Sequence, residues 1–124
     1  LEIDSTNIDK FWLEGESRIS QMQQIDFLKR FYNFELPISK RTESIMRNIM
    51  LIKETDQYKL SGKSGLSNNS GEYNGWFVGF VEFKNSTYLF ATNLEPKKEF
   101  DFDSFIKKRL DLTLLSLRKL NVLK

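Results

Sequence analysis

The spacing of apolar and polar residues divides the chain near Glu54. Before that point apolar positions recur at helical intervals. Met22, Ile25, Phe27, Leu28, Phe31 and Tyr32 form one broad face, and Ser20 with Gln23 fits a capping box at the start of that helix. Pro37 closes the segment. Ser39 is placed to cap a second helix, in which Ile45, Met46, Ile49 and Met50 repeat at i, i+1, i+4 and i+5. Upstream, residues 1–11 are polar and turn-like, and Phe11 to Gly15 form a short apolar patch closed by a glycine. After Glu54 the period shortens. Tyr58 to Ser64 reads as a strand, Asn68 to Gly71 as a polar loop, and Tyr73-Asn74-Gly75 as a turn into the next strand. Trp76 to Phe83 and Thr87 to Leu94, joined by Lys84-Asn85-Ser86, give the strongest hairpin signal in the chain. Pro96 stops the second of these strands. Asp103 is placed to cap a last helix, whose Ile106, Leu110, Leu114 and Leu117 recur at i, i+4, i+8 and i+11. The order predicts an α+β fold: two helices, then a three-stranded antiparallel sheet covered on one face by a C-terminal helix.

Composition narrows what such a domain can do. A chain of 124 residues is about one small domain. With 40% hydrophobic and 29% charged residues it reads as an ordinary folded protein rather than a disordered one. A net charge of +2, from 19 basic and 17 acidic side chains, is too balanced for a nucleic-acid surface. The absence of Cys excludes disulfides and thiolate chemistry, and the absence of His excludes a His-based triad and argues against a metal site. Acid–base work would therefore fall to Lys, Tyr, carboxylates or a partner segment. No apolar run approaches the roughly 18 residues that a membrane span requires, and no signal peptide is visible. Because the chain opens on Leu1, it is expected to be a piece of a longer protein.

One short motif carries chemistry. Lys63-Ser64-Gly65 lies at the end of a predicted strand, ahead of a polar loop and the run Gly75-Trp76-Phe77-Val78-Gly79-Phe80-Val81-Glu82. Three residues alone mean little, since a basic residue before a turn is commonplace. Their placement gives them weight. An ammonium and a hydroxyl on a strand edge can grip a carboxylate, and Gly65 lets another backbone lie close. An extended ligand could then add to the edge as a further strand, with the Leu66 N–H as an oxyanion donor.

Lys-Ser/Thr-Gly is the third signature of the penicillin-binding and serine β-lactamase superfamily. The surrounding text resembles the class D (OXA-type) enzymes in particular. Phe11-Trp12-Leu13-Glu14-Gly15, Arg18-Ile19-Ser20, Gln24 and Phe27-Leu28 are similar to the family's segment after its Tyr-Gly-Asn motif. Leu36-Pro37, Ser39, Ile49-Met50 and Glu54 continue it, and Gly75 to Gly79 and Phe90-Ala91-Thr92-Asn93-Leu94 are similar to its last two strands. The resemblance covers nearly all of residues 1–124 and implies the C-terminal half of such a domain. It implies that Lys63 supports substrate binding and proton movement, that Ser64 hydrogen-bonds the substrate carboxylate with Gly65 beside it in the substrate strand, and that the Leu66 N–H completes the oxyanion hole. Trp12 stands where the family's tryptophan holds a carbamylated lysine, and Arg109 where an arginine binds the β-lactam carboxylate. On the letters alone, Trp12 is as well explained as a core residue, and Arg109 as a solvated helix charge beside Lys107 and Lys108.

The family also needs Ser-x-x-Lys, Ser-x-Val and Tyr-Gly-Asn. These are expected on an N-terminal half absent from this sequence, together with the carbamylated lysine; no metal or other cofactor is expected. Ser104-Phe105-Ile106-Lys107 matches the first pattern by letters, but at the start of the last helix, where Ser104 reads as part of the helix N-terminal turn. The resemblance implies a β-lactam or D-Ala-D-Ala-like ligand and hydrolysis through an acyl-serine. The alternative is the extracellular penicillin-sensing domain of a receptor, which acylates without turnover. A cell-wall transpeptidase domain and an inactive structural fragment are weaker readings. The chain alone is expected to be inactive, and to be aggregation-prone, dimeric or partnered with the N-terminal half. The implied location is secreted, periplasmic or on the outer face of the bacterial cytoplasmic membrane.

Overall fold

The computed structural model describes residues 18–97 and 99–124. The patch Phe11 to Gly15, with Trp12, lies outside the described residues. Helix α1 (Gln21–Tyr32) opens on the expected box: Ser20 Oγ accepts from the Gln23 N–H at 3.2 Å, and Gln23 Oε1 accepts from the Ser20 N–H at 2.8 Å. Helix α2 (Lys40–Met50) starts at Ser39, whose hydroxyl accepts from the Thr42 N–H at 3.1 Å. Arg47 ties the two helices together. Its guanidinium donates to the Tyr32 carbonyl at 2.6 Å, pairs with the buried Glu43 at 3.1 Å, and sits 4.7 Å over the Phe34 ring and 5.0 Å over Tyr32.

Strands β1 (Leu51–Glu54), β2 (Lys59–Asn69), β3 (Glu72–Glu82) and β4 (Thr87–Leu94) form one antiparallel sheet in chain order, and α3 (Phe102–Lys119) follows. The sheet has four strands, not the three expected. Leu51 and Ile52 extend the apolar run of α2, so the letters hide a joint that has no loop. At Leu51 the backbone turns extended (φ −64°, ψ 119°), and Lys53 and Glu54 pair with Leu60 and Lys59.

The second correction concerns the β2–β3 connection. The four-residue loop expected at Asn68 to Gly71 is a two-residue turn, with Ser70 at φ 53° and Gly71 at φ 91°. Positive φ at both central positions suits the twist of a tight hairpin, and Asn68 Oδ1 accepts from the Gly71 N–H at 2.8 Å. The strands therefore run further than expected, and Tyr73-Asn74-Gly75 lies inside β3 rather than in a turn. The β3–β4 hairpin stands where the sequence puts it, with the Phe83 N–H donating to Ser86 O at 2.8 Å. The cap of α3 is Asp101 instead of Asp103: its carboxylate accepts from the Ser104 N–H at 2.7 Å. Ser104 is thus in the first helical turn, as expected.

Two cores flank the sheet. On one face α3 covers Leu60, Phe77, Val81 and Phe90 with Leu117 and Leu123, and the Phe77 and Phe90 rings stack at 5.3 Å. On the other, Leu28 and Phe31 of α1 and Met50 of α2 close over Phe80. The buried stripe of α3 is Phe105, Arg109, Thr113 and Leu117. Leu110 and Leu114 pack at its margin, so the helix is rotated from the Leu-rich face that the letters favour. The apolar faces expected of α1 and α2 are only partly used. Leu28, Phe31 and Met50 are buried, whereas Met22, Phe27, Ile45 and Ile49 stay exposed.

Candidate functional site: the open edge of β2

Strand β1 pairs with β2 only as far as Ser61. Beyond it, from Gly62 to Asn69, no other strand among the described residues pairs with that side of β2. The register fixes which groups this edge offers. The hydrogen-bonded pair Phe83/Ser86 at the hairpin sets the alternation along β3, so its odd residues bond to β4 and its even residues to β2. Lys63 and Gly65, opposite Val78 and Trp76, therefore spend their backbone groups on β3. The N–H and C=O groups of Ser64 and Leu66 point to the open side.

The side chains divide by the same pleat. Ser64 is opposite Phe77 and shares the α3 face, whereas Lys63 is opposite Val78 and shares the face of α1 and α2. Both are exposed. Lys63 Nζ curls to the edge and donates to the Ser64 carbonyl at 2.8 Å. The two side chains thus do not sit together as a single grip. They line opposite sides of one strand edge, with the backbone groups of Ser64 and Leu66 between them.

Arg109 is the buried member of the group, 7% exposed. Its Nη1 donates to the Gly65 carbonyl at 2.6 Å and its Nε to Ile106 O at 3.0 Å. Burial lowers the guanidinium pKa from its ordinary value, but a guanidinium remains charged in any physiological setting. Two of its five N–H groups are committed to these bonds, leaving donors for an anion on the α3 side of the edge, the side that also bears Ser64. The sequence alone favoured a solvated charge here; instead the side chain lies under α3 against the sheet. Two features that the sequence does not signal lie beside it, one at its main chain and one along its stem. Thr113 Oγ1 donates to the Arg109 carbonyl at 2.8 Å, so its one proton is used and Thr92 must be the donor in the 2.6 Å contact between the two hydroxyls. Gly75, buried in β3, leaves the space through which the arginine stem passes. A Thr or Gly signals neither role in a single sequence.

Gly65 shows the reverse. A Cβ there would meet only Trp76 Cβ, at 3.6 Å. Nothing among the described residues crowds the position, so their packing does not require a glycine there.

A cavity of about 600 Å³ opens near the other end of β2, lined by Arg47, Tyr58, Lys59, Ser61, Phe80 and Glu82 among others, and includes none of the predicted site residues. No cluster of three acidic residues among the described residues could hold a metal ion, and no described helix is long and apolar enough to cross a membrane. Trp12 is outside the described residues.

The family model of the penicillin-binding protein transpeptidase domain matches residues 1–110. The chain belongs to this transpeptidase-domain family. It is similar to β-lactamase OXA-48 of Klebsiella pneumoniae, at 37% identity over 91 residues, which is 73% of this chain and 34% of that protein. It is also similar to the methicillin resistance protein MecR1 of Staphylococcus aureus, at 38% identity over 88 residues, 70% of this chain and 15% of that protein. Among solved structures, the class D β-lactamase YbXI from Nostoc superposes with a TM-score of 0.84 at 39% identity, over 97% of this chain and 48% of its own. The α+β fold is therefore that of the class D β-lactamases. The chain spans about a third of the curated enzyme's length and about half of the solved one.

Proposed function

We propose that this chain is the C-terminal, substrate-holding half of a class D-type serine β-lactamase domain, and that residues 1–124 belong to one domain completed by an N-terminal half carrying the nucleophile. The observation that carries the reading is the edge of β2 that no other described strand pairs, which bears the Leu66 N–H, with Lys63 on one face and Ser64 and Arg109 on the other. A ligand would lie along the edge as an added strand. The Leu66 N–H would support the oxyanion that develops when a serine attacks the lactam carbonyl. Ser64 and Arg109 would hold the carboxylate on the α3 side. Lys63, on the opposite face, would meet the serine machinery of the other half and assist proton movement there. Gly65 would let the ligand backbone approach. Trp12 would hold the carbamylated lysine, which this reading assigns to the other half; no metal or further cofactor is needed. Ser104 is given no part in this reading, because it stands in the first turn of α3 behind the Asp101 cap and not on the β2 edge. This chemistry would act outside the bacterial cytoplasmic membrane, on a β-lactam or a D-Ala-D-Ala-like ligand.

A second reading has its own support. MecR1, a methicillin resistance protein, is as similar to this chain as the enzyme is, so a sensor domain that is acylated and not deacylated fits the same edge. Nitrocefin turnover by the full-length protein tests the two. Steady hydrolysis is expected. A stoichiometric burst without turnover would transfer the edge to a sensor, and no reaction at all would reject both readings. The chain by itself should show neither turnover nor covalent labelling by a fluorescent penicillin; a labelled band would show that it carries a nucleophile of its own.

A further inference from the structure

We propose that Gly75 is a positioning residue for Arg109, and that the absence of a side chain there gives the open edge its preference for ligands bearing a carboxylate. The proposal deepens the carboxylate-binding reading and rests on it. Arg109 belongs to α3 but must deliver Nη1 across β3 to the Gly65 carbonyl on β2, 2.6 Å away. Its stem crosses β3 at Gly75, which is paired with Leu66 on one side and Leu94 on the other. A Cβ at Gly75 would lie 2.8 Å from Arg109 Cδ, 3.4 Å from Arg109 Cγ and 2.9 Å from Phe105 Cζ. Contacts near 2.8 Å between carbons are repulsive, so one of the two side chains must move.

Phe105 is poorly placed to be the one that yields. It is buried, and its ring meets Phe100 edge-on at 5.4 Å; Phe100 in turn meets Tyr73 at 5.5 Å, and Tyr73 meets Phe102 at 5.6 Å. These rings close one side of the passage. The arginine stem is the softer neighbour, and lifting it by even a few tenths of an ångström lengthens the bond to Gly65 O and turns the remaining N–H groups away from the edge. The carbonyl bond makes this geometry sensitive: with Nε on Ile106 O and Nη1 on Gly65 O, the guanidinium plane is fixed at two points.

The test is Gly75→Ala in the full-length protein, alone and combined with Arg109→Ala. Two readouts separate the layers of the argument. The Arg109 Nε–H, bonded to Ile106 O, should exchange slowly in the parent, and its resonance should shift and exchange fast in Gly75→Ala. The KM for a β-lactam with a free carboxylate should rise on the order of tenfold, the loss expected for a weakened charged hydrogen bond, with kcat changed less than about twofold. The methyl ester of the same β-lactam should be unaffected. In the Arg109→Ala background, Gly75→Ala should add nothing. An unaltered Nε–H signal, or a KM increase that persists without the arginine, would overturn the proposal. A displaced Nε–H with unchanged KM in both single variants would uphold the positioning and sink the carboxylate reading instead. Should Gly75→Ala not fold, the double variant decides. Folding as Arg109→Ala does supports the crowding of the stem, and failing as well refutes it.

Discussion

Glycine 65 is where residue-scale chemistry separates most cleanly from residue-scale packing. Since only Trp76 Cβ comes near, Gly65→Ala is expected to leave the thermal midpoint of the protein within about a degree or two while weakening β-lactam binding; paired calorimetry and acylation kinetics would show it, and equal loss of both would mean that the position is structural. Thr113 is the opposite case. Thr113→Val keeps the volume but leaves the Thr92 hydroxyl without its acceptor under α3, and about 1–2 kcal/mol of stability should go with it in denaturant titration. The motif Lys63-Ser64-Gly65 and the Arg109 position were legible only through the resemblance of the surrounding text to a known family; as bare letters the first is commonplace and the second reads as a solvated charge. Lys63 and Ser64 face opposite sides because strand periodicity requires it, so the two cannot grip one group from the same face. Thr113 was hidden by its own polarity, since an apolar-stripe search passes over a threonine and an arginine in the buried line of a helix.

At the scale of elements, caps and breakers were the most readable features. Ser20, Gln23 and Ser39 act as the sequence suggests, and Ser20→Ala should remove about 1 kcal/mol from the domain, measured as a shifted urea midpoint with an unchanged slope. The β1 strand was missed because its apolar residues continue those of α2 without a break, and the long β2–β3 hairpin because a two-residue turn was read as a loop. Each error has one physical source: a local pattern cannot see the strand that lies beside it. The exposed Lys59–Glu54 pair links β1 to β2, and exposed pairs of this kind contribute little. The hydrogen bond and then the charge of Glu54 push the Lys59 ammonium pKa up. Its favourable contribution is therefore complete below the usual lysine range and fades as pH rises through the raised value, and Glu54→Gln should leave the β1 pairing intact in amide-exchange measurements.

For the whole molecule, the decisive quantity is the apolar surface that the described residues leave exposed. Phe27, Phe34, Ile38, Ile45, Ile49, Leu51 and Ile52 are exposed on or between α1, α2 and β1, while the sheet core beneath them is closed, with Phe80 only 1% exposed. Apolar side chains left exposed together among the described residues favour association with a partner surface. The chain expressed by itself is expected to bind a hydrophobic dye and to sediment as dimers or larger species, and adding the remaining half of its domain should suppress both. A dye-silent monomer with a sharp melt would argue that the face needs no partner. The fold class could be read from the order of helices and strands, whereas the need for a cover depends on which of the apolar letters are left over after folding, and no single sequence says that.

The tight turn at Ser70-Gly71 reaches further than its position suggests. It sets the count by which β2 lies against β3, and that count alone decides that residue 63 looks one way and residue 64 the other. A single amino acid added at this tip and absorbed as a slip of β2 would exchange their sides, sending the ammonium toward α3 and the hydroxyl toward α1 and α2, with every chemical group still present in the chain.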